Sequence, residues 1–137
     1  MGKTQLIDLM KLFYLLLLST MSCLAQQPLV LEIQGTTASK GKVFIRIQDE
    51  KEDILKEGAF PSEKGVTPIK WTIPKRSKIA IWAFQDLNQN GELDKNALGI
   101  PTEPWGISGG KRPSLRPPLL REMWVDPAQQ PIAISIR

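Results

Sequence analysis

From residue 26 onward, apolar and polar positions alternate with a period of two. Leu29, Leu31 and Ile33 alternate with Val30, Glu32 and Gln34. Val43, Ile45 and Ile47 alternate with Phe44, Arg46 and Gln48, and Ile69, Trp71 and Ile73 with Lys70 and Thr72. At the end, Ile132, Ile134 and Ile136 alternate with Ala133, Ser135 and Arg137. Such a pattern predicts half-buried strands with one face on a core and one toward water. Ile79-Ala80-Ile81-Trp82-Ala83-Phe84 is apolar on both faces. That suits a central strand whose outer face lies under other chain. No stretch has the amphipathic pattern of a long helix, and no repeat is present.

Turn residues separate these runs. Gly35 through Gly41 joins the first two, and Pro74 with Ser77 ends the third. Gly58, Pro61 and Gly65 are expected to punctuate the connection before it. Residues 49–56 read as a helical turn or an edge strand. Met123-Trp124-Val125 is strand-like again. The expected fold is an all-β antiparallel sandwich of about seven short strands, with an antiparallel barrel as the alternative. Trp71, Trp82 and Trp124 are expected in the core.

The N-terminus departs from this pattern. Leu12 to Leu18 is an unbroken apolar run, preceded by Lys3 and Lys11 and followed by Ser19, Thr20, Ser22 and Ala25. A basic start, a short apolar stretch and small residues read as a secretory signal peptide. The run is too short for a membrane span, which needs about 20 apolar residues. The expected division is a signal peptide over 1–25 and one β-sandwich domain over 26–137. Cleavage before Gln26 gives a soluble domain. Lipoprotein processing at Cys23 would instead leave a lipid anchor there, although Thr20 stands where Leu is usual. The expected location is therefore periplasmic, outer-membrane-associated or extracellular.

Charge adds little to this. The segment 26–137 carries 16 basic and 13 acidic residues, a mild surplus. No dense basic stripe of the kind nucleic acids select is present. Lys111, Arg112, Arg116 and Arg121 could meet an anion, but such a run is usually solvated surface. Cys23 is the single cysteine, so a domain starting at Gln26 has no disulfide and no thiol nucleophile. There is no histidine. This removes Ser-His-Asp and Cys-His catalysis and histidine metal sites. A carboxylate pair such as Asp86 and Asp94 remains, yet both fit better as ligands or turn residues. The chain is expected not to be an enzyme.

The chemistry concentrates in residues 86–118, a loop-rich region holding every Asn of the chain. Asp86-Leu87-Asn88-Gln89-Asn90-Gly91-Glu92-Leu93-Asp94 has the spacing D-x-N-x-N-G-x-x-D. Side-chain oxygens recur at every second residue, with a glycine where the chain turns, as in the first half of a calcium loop. Asp86, Asn88, Asn90 and Asp94 are the candidate Ca2+ ligands, with the Glu92 carbonyl and a distant carboxylate such as Glu103. Ala97 occupies the position where an EF-hand needs glutamate, so this is not an EF-hand. With two certain charges, affinity would fall in the weak extracellular range of about 10⁻⁴–10⁻³ M. The competing reading is structural: Asp, Asn and Gly build such turns without metal. Trp105, in a Gly/Pro-rich loop, is either a stacking platform for a sugar or a plug on the sandwich.

The stretch from Ile81 to Leu119 resembles the bacterial domain-of-unknown-function family 2141. The resemblance rests on Asp86–Asp94, on Gly99-Ile100-Pro101-Thr102-Glu103-Pro104-Trp105-Gly106-Ile107-Ser108, and on Pro117-Pro118. It extends more weakly to most of the segment after residue 25. It implies an exported sandwich of transthyretin-like or carboxypeptidase-regulatory type, and no established activity. Gln85 stands where members often carry His, and Arg116 where Gly often precedes the proline pair. Glu103 and Ser108 match the pattern, which implies one joint site or one joint structural knot with the Asp/Asn run. The expected function is an envelope binding or structural module with an unknown protein or glycan as partner. The alternative is a carbohydrate-binding module using Trp105 and Ser108.

Overall fold

Each alternating run forms a strand. The computed structural model describes residues 2–8, 10–11, 25–37 and 40–137. In chain order the elements are β1 (Gln26–Thr36), β2 (Lys42–Gln48), β3 (Ile54–Pro61), β4 (Gly65–Pro74), β5 (Ile79–Asp86) and β6 (Trp105–Ile107). A one-turn helix α1 (Leu120–Met123), β7 (Trp124–Val125) and β8 (Ile132–Ser135) complete the fold. One sheet has the order β4-β1-β8; the other runs β3-β2-β5-β6, with β7 also on β5. The inward set of every alternating run meets between the sheets. Leu29, Leu31, Ile33, Val43, Ile45, Ile47, Ile79, Ile81 and Ile134 are fully buried there. Burial of this kind stabilises by roughly 1.5–3 kcal/mol per aliphatic side chain.

Several details differ from the sequence reading. The pairing of β1 with β8 is parallel, Leu31 facing Ile132 and Ile33 facing Ile134, so the sandwich is not wholly antiparallel. Alternation fixes which face a residue takes but not strand direction. Gly58 and Pro61 lie inside β3 rather than in a connection. Gly58 is in the sheet because the Trp71 ring covers it; a Cβ there would sit 3.2 Å from that ring. Residues 49–53 form a tight turn held by the Asp49 carboxylate, which accepts N–H bonds from Lys51 and Asp53. The edge strand begins only after it.

The sheets approach closely at one seam. The backbone of Arg137 exchanges two hydrogen bonds with Trp105 of β6, while Ile136 bonds Gln34 of β1. The chain thus steps from the smaller sheet to the larger. Gly106 makes this approach feasible: a Cβ there would lie 2.2 Å from the Ser135 carbonyl oxygen.

The run 12–18 and Cys23 lie outside the described residues, whereas Ala25 and Gln26, on either side of the expected cleavage point, are described, with Gln26 opening β1 opposite Pro74. Residues 3–8, 10 and 11 are helical. Among the described residues, no helix is long and apolar enough to cross a membrane.

Candidate functional site

The outer face of the larger sheet carries the features the core does not explain. Along β5, the outward positions are Ala80, Trp82, Phe84 and Asp86. Each meets a different kind of cover.

At one end, Ala80 packs with Ile107 and Met123 in a small second core, with Trp82, Trp105 and Leu120 against it. Helix α1 is the lid of this cluster. Ser108 locks it. Its buried hydroxyl donates to the Met123 carbonyl and accepts the Ile81 N–H at 2.9 Å. The sequence reading expects Ser108 at a ligand; here its hydroxyl donates to and accepts from the framework.

In the middle, aromatic rings form a row across three strands. Phe44 on β2 stands opposite Phe84 on β5, and Phe84 opposite Trp105 on β6. Phe44 and Phe84 stack at 5.3 Å, and Trp82 and Trp105 also stack at 5.3 Å. The loops 91–101 and 113–118 rise beside these rings and enclose a trough of about 930 Å³. That volume suits a small organic ligand, whose sites typically span about 300–1,000 Å³. Arg46 and Gln48 also line it, on the β2 side. Trp105 is half-buried, with the Arg112 guanidinium 4.8 Å from its ring centre. Arg112 also donates to the Trp105 and Arg137 carbonyls. Burial, with the like charge of Arg137, lowers its pKa from the usual arginine value, and it stays a cation. Trp105 is thus a plug on one side and part of the trough floor on the other. Trp82 belongs to this outer row, not to the core between the sheets. Trp124 is exposed beneath the Lys78 ammonium, 5.1 Å from its ring centre. Trp71 alone of the three expected core tryptophans packs against the main core.

At the far end, β5 runs into the Asp/Asn turn. Asp86 is buried, and its carboxylate accepts the N–H groups of Asn90 at 3.2 Å and Gly91 at 2.8 Å. Asn88 accepts from the Asn90 N–H and Asn90 from the Glu92 N–H, forming successive Asx-turns. The amides of Asn88 and Asn90 both donate to the Asp94 carboxylate, at 2.5 and 2.8 Å. Glu103 is brought in from the next loop. Its buried carboxylate accepts the N–H groups of Leu87 at 2.8 Å and Asp94 at 3.2 Å. Gly91 takes φ +82°, the left-handed turn its position in the spacing predicts. The sequence reading thus joins Asp86, Asn88, Asn90, Asp94 and Glu103 correctly as neighbours, whereas Ser108 lies at the opposite end of β5. Glu92 contributes its N–H to the turn. Among the described residues, no three His, Cys, Asp or Glu side chains converge as a metal-holding group.

Sequence reasoning missed Phe44, Trp82 and Phe84 as site residues. A signal was available: large aromatic residues occupy outward positions of strands whose inward set already fills the core. Gln85 lies next to the turn but points inward. It is buried and holds residues 37, 40 and 62 together through Thr37, Lys40 and Ser62. In this chain that position is therefore structural.

No curated protein and no solved structure matches the chain. A family model does match residues 31–134, from the middle of β1 to β8. That range includes the aromatic row, the Asp/Asn turn and the Glu103 loop. The chain belongs to the family described as an uncharacterized protein conserved in bacteria (DUF2141).

Proposed function

We propose that this chain is an exported, non-catalytic binding module of the bacterial envelope, with the aromatic trough as its ligand site and a saccharide as its ligand class. The observation that carries this reading is the Phe44–Phe84–Trp105 row on a face that folding would leave polar. Sugar C–H faces stack on such rings, while hydroxyls reach the polar side chains at the trough edge. The charges around it nearly balance: Arg46 pairs with Glu57, and Arg116 with Glu122. A neutral ligand fits that balance. A glycan screen followed by titration tests it. Phe44→Ala and Trp105→Ala should each weaken the captured glycan about three- to tenfold. A wild-type protein that captures no glycan, or a Phe44→Ala variant that binds unchanged, overturns the reading.

Export rests on the basic start, apolar run and small residues of the first 25 positions. Recovery of a chain starting at Gln26, or of an acylated Cys23, supports it. A full-length chain retained in the cytosol refutes it. Absence of catalysis rests on the missing histidine and on carboxylates occupied in turns. Hydrolytic turnover abolished by Asp94→Asn would overturn that part.

A second reading concerns Ca2+ at the turn. It is favoured by the chain of hydrogen bonds that ties Asp86, Asn88, Asn90, Asp94 and Glu103 to one bend, although the three carboxylates do not themselves close on a common point. Their oxygens each have a second lone pair beyond the N–H bonds they accept. The Asn88 and Asn90 amides would turn away from Asp94 as the cation took their place. Millimolar Ca2+ should raise the melting temperature of the wild type and leave Asp94→Ala unmoved. Identical wild-type melts in Ca2+ and in chelator dismiss the ion.

A further inference from the structure

The chain has three asparagines, Asn88, Asn90 and Asn96, and all are exposed. They differ in the residue that follows: Gln89, Gly91 and Ala97 respectively. The backbone nitrogen of the next residue can attack an asparagine carboxamide, which is why this side chain is thermolabile. A side chain on that next residue crowds the approach, and glycine has none. Gly91 also stands in open space: a Cβ built there would meet nothing within 4 Å. Asn90 is therefore the asparagine at which the attack is sterically free.

The turn commits each reacting group to another partner. The Gly91 N–H donates to the Asp86 carboxylate at 2.8 Å. The Asn90 amide donates to Asp94 at 2.8 Å, and its side-chain oxygen accepts the Glu92 N–H at 2.9 Å. Ring closure requires the carboxamide to swing onto the Gly91 nitrogen. Both side-chain bonds must break first, and the Gly91 proton must leave its acceptor. The closed turn therefore guards the same Asn-Gly pair that its spacing demands. Asn96 is held apart from this network, accepting the N–H groups of Leu98 and Ile100.

We infer that Asn90 is a site of spontaneous deamidation whose rate is set by opening of the Asp86–Asp94 turn. In the open turn, the Gly91 nitrogen bonds to Asn90 Cγ and gives up its proton. The Cγ–Nδ2 bond breaks, and ammonia leaves with that proton. Water then opens the cyclic imide at one carbonyl or the other, leaving aspartate or isoaspartate. Water is the sole co-reactant. Either product removes the amide that donates to Asp94 and adds a negative charge beside that carboxylate. The turn then cannot reclose on the same bond, so a single conversion loosens it permanently. Neither the trough nor a bound cation takes part.

The test incubates the full chain at neutral pH, in buffer and in urea, with chelator present so that no cation closes the turn. After digestion, mass spectrometry reads amide-to-acid conversion at Asn88, Asn90 and Asn96 separately. Conversion should be fastest at Asn90, and urea should speed it there by releasing the turn. Asp94→Ala removes the acceptor of the Asn90 amide. It should raise the Asn90 rate in buffer about fivefold, the equivalent of one hydrogen bond. The same substitution should leave Asn96 unchanged in buffer and Asn90 unchanged in urea, where no turn remains to open. The wild-type comparison of buffer with urea stands whether or not that variant folds. Conversion at Asn90 no faster than at Asn96, equal Asn90 rates in buffer and urea, or a folded Asp94→Ala that converts at the wild-type rate would each overturn the inference.

Discussion

Phe44 and Ile45 are neighbours in the chain and belong to two different worlds. Ile45 points between the sheets and is fully buried among aliphatic side chains. Phe44 points outward, stacks on Phe84 and lines the trough. The smaller sheet shows what an ordinary outward face looks like. There Glu32, Gln34, Lys70 and Thr72 occupy the corresponding positions, partly or fully exposed. The same alternation rule thus gives a polar face on one sheet and an aromatic face on the other. Folding explains the inward set of both. It does not explain the outward aromatic row, which is why that row, more than the core, carries the functional reading.

The comparison can be broken by substitution. Ile45→Ala removes a fully buried side chain and should cost about 3–4 kcal/mol in denaturant unfolding. If Phe44→Ala cost as much, the two faces would be one core and the trough a packing defect. Glu103→Ala comes next. It leaves the N–H groups of Leu87 and Asp94 without acceptors and should cost about 2 kcal/mol. Amide exchange should quicken at Leu87 and Asp94 and stay slow in β2. Phe44→Ala itself should cost about 1 kcal/mol, the scale of an aromatic pair, while changing ligand capture more than stability.

The smallest effect concerns the clasp over the trough wall. The Arg116 guanidinium, helped by the Leu119 N–H, pulls the Glu122 carboxyl from its usual 4.5 down to about 2. A depressed carboxyl pKa stabilises the fold above the ordinary glutamate range, and that contribution is lost as pH falls through about 2. Both side chains meet solvent, so the global stability change should be slight. NMR titration of Glu122 should show the low value in the wild type and a return toward 4.5 in Arg116→Ala.

Much of this architecture was legible from residue pattern. Alternation placed β1, β2, β4 and β8, because a half-buried strand must segregate its side chains at period two. Apolarity on both faces of Ile79–Phe84 correctly signalled cover on the outer side. The D-x-N-x-N-G spacing identified the turn, since its Asx bonds are local in sequence. What stayed hidden depends on contacts between distant positions. The parallel β1–β8 pairing leaves no local trace. β6 has three residues and is defined by its neighbours, not by its own propensity. Glu103 was reached by its chemistry, whereas Ser108, joined to the Asp/Asn run through the family pattern, lies apart from that turn, its hydroxyl bonded to Ile81 and Met123. One lies at each end of β5.

The seam between first and last strands has a consequence for how the protein can be made. The Val30 N–H reaches the Gln130 side chain across 100 positions, and Leu31 and Ile33 find their parallel partners only in β8. A nascent chain still short of residue 132 would leave that half of the smaller sheet unpaired, however complete everything before it. Assembly therefore waits on long-range loop closure, which slows it. Such a delay leaves a polypeptide threadable for as long as its tail is missing.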